Sequence, residues 1–458
     1  MKKEWSVVSG PWSVWSRRRP AGGATVALLA LGLAGPGNAA TVRLDAQAAA
    51  TRAVQVSNAV AAAAARADAA NQVIKAADAA ALPSLSANAA VAQRSSVPEF
   101  AAPINGPFQP PVVLFPDITT TYGAGLRLQQ ALYAGGAISG LREATRHDGD
   151  AAAADRARTV ADLRLAAQLA YWEAVRSSAS VDVARAQEER ARRLREDTQA
   201  LLGAGMAVRA DALAADERIA SARVQVIVAE TASANARTRL ASLLHLAADD
   251  RIELADSLIG PLPPSPPPEA GLVDDALARR PELALTAAQL DALTAREKLA
   301  RAEARPAVGA VAQWDYARPN QRYFPQADEW KSSWSVGLLA SWSLFDGGRA
   351  RADTSASQLT RRAASEDRNE LERRIRVEVE TARRDLESAL AAVGAADAAR
   401  AAGTEREREA RERHAAGLAL MVEILDAEAQ LAAAEQQQIN ARASSWAAAA
   451  VLARAVGR

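Results

Sequence analysis

The sequence predicts a mainly α-helical chain with a membrane β-barrel contribution, built as two repeats that each lead a pair of strands into a very long helical hairpin. Three observations predict it. First, Leu132-Tyr133-Ala134-Gly135-Gly136 returns as Leu344-Phe345-Asp346-Gly347-Gly348, a shift of 212 positions, and in each copy a single glycine, Gly205 or Gly417, follows 69 positions after the Gly-Gly pair. Halves that align over such a length without a gap imply pseudo-symmetry. Second, the stretch after each Gly-Gly pair is alanine-rich, charged and free of proline, which favours long helices. Third, four segments, two per half, alternate in polarity as strands do.

At 458 residues the chain exceeds one small core. A formal net charge of +1 gives no electrostatic case for nucleic acid as a partner. Aromatic residues are only 4% of the chain, low for a conventional core, and the abundant alanines let helices approach closely. Cysteine is absent, which removes disulfides, thiolate metal sites and the acceptor of a lipoprotein anchor.

Residues 1–40 read as an export signal. Lys2, Lys3 and Arg17-Arg18-Arg19 form a basic region, and Ala24 to Leu33 is an apolar run of about ten residues, too short to span a bilayer. Gly37-Asn38-Ala39-Ala40 offers a cleavage site. The alternative is a buried N-terminal helix. No later stretch is long and apolar enough for a transmembrane helix, so an exported chain that enters a membrane must do so as a β-barrel.

The first repeat covers 41–260. Leu44 to about Ala81 reads as helix, ended by Leu82-Pro83. Ser84 to Gln93 alternates as a strand, with Leu85, Ala87, Ala89 and Val91 on one side. Val97 to Asp117 is proline-rich and reads as irregular. Thr119 to Leu132 is the second strand, and Gly135-Gly136 turns it into the long helix. A proline-rich connector, 261–268, leads to the second repeat, 269–458. There Leu272 to Arg305 reads as helix, Ala307 to Tyr316 and Ser333 to Phe345 as strands, and Gly347-Gly348 as the turn.

Each long helix spans on the order of 100 Å, and such a length needs lateral support from neighbours. After Gly205 and Gly417 the helices resume, at Val208 to Leu246 and Leu420 to Val456, so each repeat ends in a hairpin bent at a glycine. The pairs Glu188/Arg192, Glu189/Arg193, Glu370/Arg374, Glu372/Arg376, Glu380/Arg384, Glu407/Arg411 and Glu409/Arg413 are spaced for i,i+4 contact and mark solvated faces.

Four strands cannot close a barrel, and an open sheet edge cannot face lipid. The strands therefore either form a soluble sheet or are completed by other copies of the chain. Trp314, Tyr316, Tyr323, Trp330, Trp334 and Trp342 cluster at the second strand pair, in the manner of a membrane-interface girdle. The competing reading, a small soluble core, is disfavoured by the small residues and serines on the alternating strands.

The chain resembles the TolC family of outer-membrane factors. The resemblance is carried by Ala81-Leu82-Pro83-Ser84-Leu85, the two Gly-Gly motifs, Ala170-Tyr171-Trp172, Gly205 with Asp211 six residues later, Arg280-Pro281-Glu282-Leu283, and Gly417 through Glu423-Ile424-Leu425-Asp426. It runs over essentially all of the chain after the signal, and its specificity lies in the order and spacing of two copies. The resemblance implies a homotrimer whose twelve strands form one outer-membrane barrel above a tube of helices crossing the periplasm. It implies partners: outer-membrane lipid, a periplasmic adaptor at the hairpin tips, and an inner-membrane pump. The chain would be the exit duct of a tripartite efflux or type I secretion system, with no catalysis, cofactor or metal, and the pump would select the cargo.

By the same resemblance, Gly205, Met206, Val208, Gly417, Leu418 and Leu420 form the adaptor-contacting tips, and Gly135, Gly136, Gly347 and Gly348 the strand-to-helix turns. Asp211, Glu423 and Asp426 match acids that line the narrow periplasmic mouth, where threefold repetition would favour cations. A plainer role for Asp211 and Glu423 is to complement the helix dipole in a first turn. Ala419 and His414 depart from the family's tip pattern, in which a basic and an aromatic partner can sit, so a latch built from that pair is not expected. His147, His245 and His414 are isolated in sequence, with no carboxylate or second histidine at metal-ligand spacing. The alternative function is a soluble periplasmic coiled-coil adaptor or scaffold, which would carry a single hairpin.

Overall fold

The computed structural model describes residues 41–458 except 105–107, 109, 248–249 and 268; the signal expected over 1–40 lies outside the described residues. The two repeats match element by element. The long helices α3 (Ala137–Gly203) and α7 (Arg349–Ala415) are both 67 residues, and their return helices α4 (Arg209–Leu243) and α8 (Met421–Ala455) are both 35. Two short helices precede the strands of each repeat: α1 (Ala46–Val56) and α2 (Asn58–Ala79), then α5 (Glu269–Arg279) and α6 (Pro281–Ala302). The lengths are again equal, 11 and 22 residues.

Both helices expected to run unbroken before the strands are interrupted. Ser57 adopts an extended conformation, and its hydroxyl accepts from the amides of Ala59 and Val60. That is a fresh N-cap, which ends one helix and starts the next. In the second repeat the break falls at Arg280, because Pro281 disfavours helical geometry in the residue before it and suits the first helical position.

Strands β2 (Ser84–Gln93), β5 (Thr120–Ala134), β7 (Ala307–Arg318) and β8 (Lys331–Ser341) form one antiparallel sheet in the order β2-β5-β7-β8. The two repeats thus share a sheet. β8 stops at Ser341, short of the expected Phe345. Ser341 pairs with Ala307, and Pro306 beyond it has no N–H to continue the ladder. Two short strand pairs escape the sequence reading. The proline-rich segment holds a hairpin of β3 (Phe100–Ala102) and β4 (Val112–Phe115), and β1 (Thr41–Leu44) lies parallel to β6 (Arg251–Leu254). Runs of three or four residues carry too little alternation to stand out.

The Gly-Gly turns need left-handed backbone at both positions: φ is 63° and 99° at Gly135 and Gly136, and 70° and 89° at Gly347 and Gly348. The crowding differs. A Cβ on Gly135 would meet the Ala302 carbonyl oxygen at 2.8 Å, whereas one on Gly347 would meet nothing within 4 Å. The second turn instead has Asp346, whose carboxylate accepts from the amides of Gly348 (2.9 Å) and Ala350 (2.8 Å).

The helical body is held by three apolar clusters. Midway along α3, Tyr171 donates to the Leu44 carbonyl (3.0 Å) and accepts from the Asp256 amide (3.1 Å), and Trp172 stacks on Trp446 of α8 at 4.8 Å. Ile375, Val379 and Leu386 of α7 pack with Leu272, Leu283 and Leu452. Nearest the tips, Leu194, Met421 and Ile424 meet. Of the expected helix-surface pairs, Glu188–Arg192, Glu189–Arg193, Glu380–Arg384 and Glu407–Arg411 form. Glu370 takes Arg373, Glu372 takes Arg368, and Arg413 reaches Glu423 on the next helix instead.

Candidate functional site: the sheet faces and the hairpin tips

The strand register sorts side chains onto two faces. One carries the rows Leu85-Leu128-Ala312-Val336 and Ala87-Leu126-Trp314-Trp334; the other carries Ser86-Arg127-Gln313-Ser335 and Asn88-Gly125-Asp315-Ser333. The polar face is internally bonded: Arg127 donates to Gln313 (3.3 Å), and Gln313 donates to Asp315 (2.9 Å). The apolar face is open. Trp334 is 71% exposed, with Val336, Leu338, Leu85 and Val91 similar. These aromatics are therefore not a small soluble core.

At one end of the apolar face Tyr316 stacks on Trp330 at 4.9 Å, flanked by Tyr122 and Trp314. At the other lie Trp342, Tyr133 and Phe345, all exposed. Twelve positions separate Trp330 of the first cluster from Trp342, about 40 Å of extended chain, which at the roughly 40° tilt of barrel strands rises about 30 Å and so spans an apolar band about 25 Å tall with a girdle at each rim. β2 and β8 form the two edges of this sheet. No helix among the described residues is long and apolar enough to cross a membrane.

The two tips have one geometry. After α3 the amides of Met206 and Gly205 donate to the carbonyls of Leu201 (2.8 Å) and Leu202 (3.0 Å); after α7 those of Leu418 and Gly417 donate to Arg413 (2.8 Å) and His414 (2.9 Å). Both are Schellman turns with glycine in the left-handed region, φ 74° and 72°. Met206, Val208, Leu418 and Leu420 stand exposed around them.

Asp211 and Glu423 are each third in their helix, where their carboxylates accept from the amides of Val208 (3.1 Å) and Leu420 (3.2 Å). They cap their own helices, a bonded role in addition to the dipole complement that a first-turn position offers. Asp426 is exposed a turn further in and accepts from Gln430 (2.7 Å). His414 lies against the Ala419 carbonyl, Nδ1 to oxygen 2.9 Å. His147 is less isolated than its sequence context suggests, since its Nδ1 lies 3.5 Å from an Asp150 carboxylate oxygen. Among the described residues no three potential ligands converge on a metal position.

The sequence reading missed a partly buried ionic cluster above the tips, centred on buried Glu428. It contains Arg190, Arg218, Glu407, Arg411, Glu428 and Glu435. The signal was present. Met421, Ile424, Glu428 and Leu431 follow the 3-4-3 spacing of one buried helix face, with a carboxylate in an apolar position.

A family model described as outer membrane efflux protein matches residues 49–245 and 272–458. No curated protein matches the chain. Among solved structures it is similar to the CusC transmembrane channel, with a TM-score of 0.76 and 18% identity over 92% of this chain and 95% of that one. It is also similar to the outer membrane protein VceC of Vibrio cholerae (0.73; 18%; 89% and 95%). A third is the open state of the MtrE outer membrane channel of Neisseria gonorrhoeae (0.73; 19%; 90% and 88%).

Proposed function

The chain belongs to the outer membrane efflux protein family, and we propose from this premise that three copies assemble into one barrel and helical tube, fed by an inner-membrane pump through a periplasmic adaptor. As an outer-membrane exit duct it reaches into the periplasm. One observation supports the assembly above the others. A four-stranded sheet with an apolar, aromatic-rimmed outer face and a polar inner face ends in two open edges, and lipid does not tolerate open edges. Three such sheets joined edge to edge remove them.

In this assembly Met206, Val208, Leu418 and Leu420, set by Gly205 and Gly417, offer the adaptor a small apolar surface. Asp211, Glu423 and Asp426 face the narrow end of the tube. The capping bonds of Asp211 and Glu423 leave their charge in place, whereas Asp426 has no backbone to cap and is the residue whose charge the mouth uses most directly.

The assembly is tested by extracting the protein from outer membranes in mild detergent and measuring its mass. A trimer supports it; a soluble periplasmic monomer would favour the scaffold alternative. The mouth is tested by single-channel current, where Asp426→Ala should weaken block by divalent cations severalfold. Unchanged block removes Asp426 from the mouth.

A further inference from the structure

Glu428 lies on α8 about two turns beyond the second tip and is only 3% exposed. Every helix around it supplies a charged group. Arg218 of α4 approaches to 3.7 Å and Arg411 of α7 to 3.4 Å. Glu407 of α7 holds Arg411 at 2.5 Å, and Arg190 of α3 faces the cluster but is held at 2.6 Å by Glu435 of α8 itself. The charges balance, yet no cation grips Glu428 closely. Its counterpart 212 positions earlier, Asp216 on α4, is half exposed and makes an ordinary 2.6 Å pair with Arg195. The same level of the repeat thus holds a surface ion pair in one hairpin and a buried carboxylate in the other, because α8 packs against both α7 and α3.

We propose that Glu428 is a proton-linked lock between the two hairpins: packing buries its carboxylate, any parting of the hairpins hydrates it, and acid therefore favours the packed arrangement. Burial, the dominant influence, pushes its pKa above the ordinary carboxylate value, against the pull of Arg218 and Arg411. A group that binds its proton more tightly when packed stabilises packing fully below the ordinary carboxyl pKa, and that contribution is lost as pH rises through the raised value. Protonation orphans neither arginine, since Arg411 keeps Glu407 and Arg218 is partly open to water. Each unit by which the two arrangements differ in pKa shifts their ratio tenfold. The consequence for transport, a duct that tightens in acid, rests on the exit-duct function; the conformational equilibrium does not.

Because the chain has no cysteine, spin labels can be placed on Glu217→Cys and Ala429→Cys in the full-length, detergent-solubilised protein. Between about pH 8 and about pH 5 the distance distribution should move towards the shorter, packed separation. Glu428→Gln, neutral at every pH, should hold the packed distribution throughout. Arg218→Ala, which removes a cation that favours the charged form, should move the transition to higher pH. A distribution that does not respond to pH, that parts in acid, or that responds identically in Glu428→Gln overturns the lock. In planar bilayers the wild-type conductance should fall at least about twofold in acid, and in Glu428→Gln the fall should vanish. Absence of conductance at any pH, with the label distances behaving as stated, would remove the duct and leave the lock supported.

Discussion

The two hairpins share one backbone and differ in chemistry. α3 and α7 match residue for residue in length, as do α4 and α8, yet where the first carries Tyr171-Trp172 the second carries Arg383-Arg384. The ion pair Arg185–Glu230 that ties α3 to α4 at 2.7 Å returns 212 positions later as Asp397–Arg442, at 2.9 Å, with its polarity reversed. Duplication therefore preserves the spacing of turns and the level of contacts, while the side chains that make those contacts are free to change. The first hairpin is anchored by aromatic packing against β1 and the segment after β6. The second is anchored by aliphatic packing and by buried ions, with Arg454 bridging Asp162 and Glu282.

The sharpest test truncates the matching positions Trp172 and Arg384, one an anchor and the other not. Trp172 is buried and stacked, so Trp172→Ala should cost about 3–5 kcal/mol, by loss of burial and the cavity left behind. Arg384, at the matching position, is 67% exposed and pairs with Glu380 on its own helix. Arg384→Ala should stay within about 0.5 kcal/mol. Thermal unfolding in detergent reads both, and equal losses would mean that the aromatic anchor is not what distinguishes the halves.

The strand-to-helix turns give a smaller contrast. Gly347→Ala places a methyl in open space and should cost only the left-handed backbone term, about 1–2 kcal/mol. Gly135→Ala incurs that term and also drives a Cβ to 2.8 Å from a backbone oxygen, so it should destabilise by clearly more. If the two substitutions lower the unfolding midpoint equally, the first turn has room that its geometry denies.

Most of this architecture was legible in the sequence, because its signals are periodic and doubled. The Gly-Gly turns, single-glycine tips and alternating strands each occur twice at matching spacing, and β2 falls on Ser84–Gln93 as read. What escaped was short or contextual. β1 and β6 gain meaning only when Tyr171 ties them to α3. The break at Ser57 depends on a side chain turning back to cap, which a run of helix formers hides. For the tips, glycine and the acids two to three residues into the next helix could be placed from sequence. Asp211 and Glu423 could be assigned to first turns, and the apolar spacing around Glu428 marks its face as buried, but the ionic groups that surround Glu428 could not be read, because Arg190 and Arg218 come from α3 and α4, distant in the chain.

The smallest expected effect concerns the reversed ion pair. Asp397 accepts from Gln438 (2.6 Å) and from Arg442, and these bonds, Gln438 first, hold its carboxyl below the ordinary aspartate value. Its contribution is therefore present above the unfolded pKa of about 3.9 and is lost as pH falls through the lower folded value, the opposite direction to Glu428. Asp397→Asn should cost a few tenths of a kcal/mol at neutral pH, the scale of a screened surface pair, and nothing once the wild-type carboxyl is protonated. Arg442 also donates to the carbonyls of Leu258 (3.0 Å) and Gly260 (3.3 Å) where the connector begins, whereas Arg185 binds Glu230 on its hairpin. Arg442→Ala should accordingly lower the unfolding midpoint more than Arg185→Ala does. Equal losses would mean that the carbonyl contacts add nothing and that reversing the pair left its role unchanged.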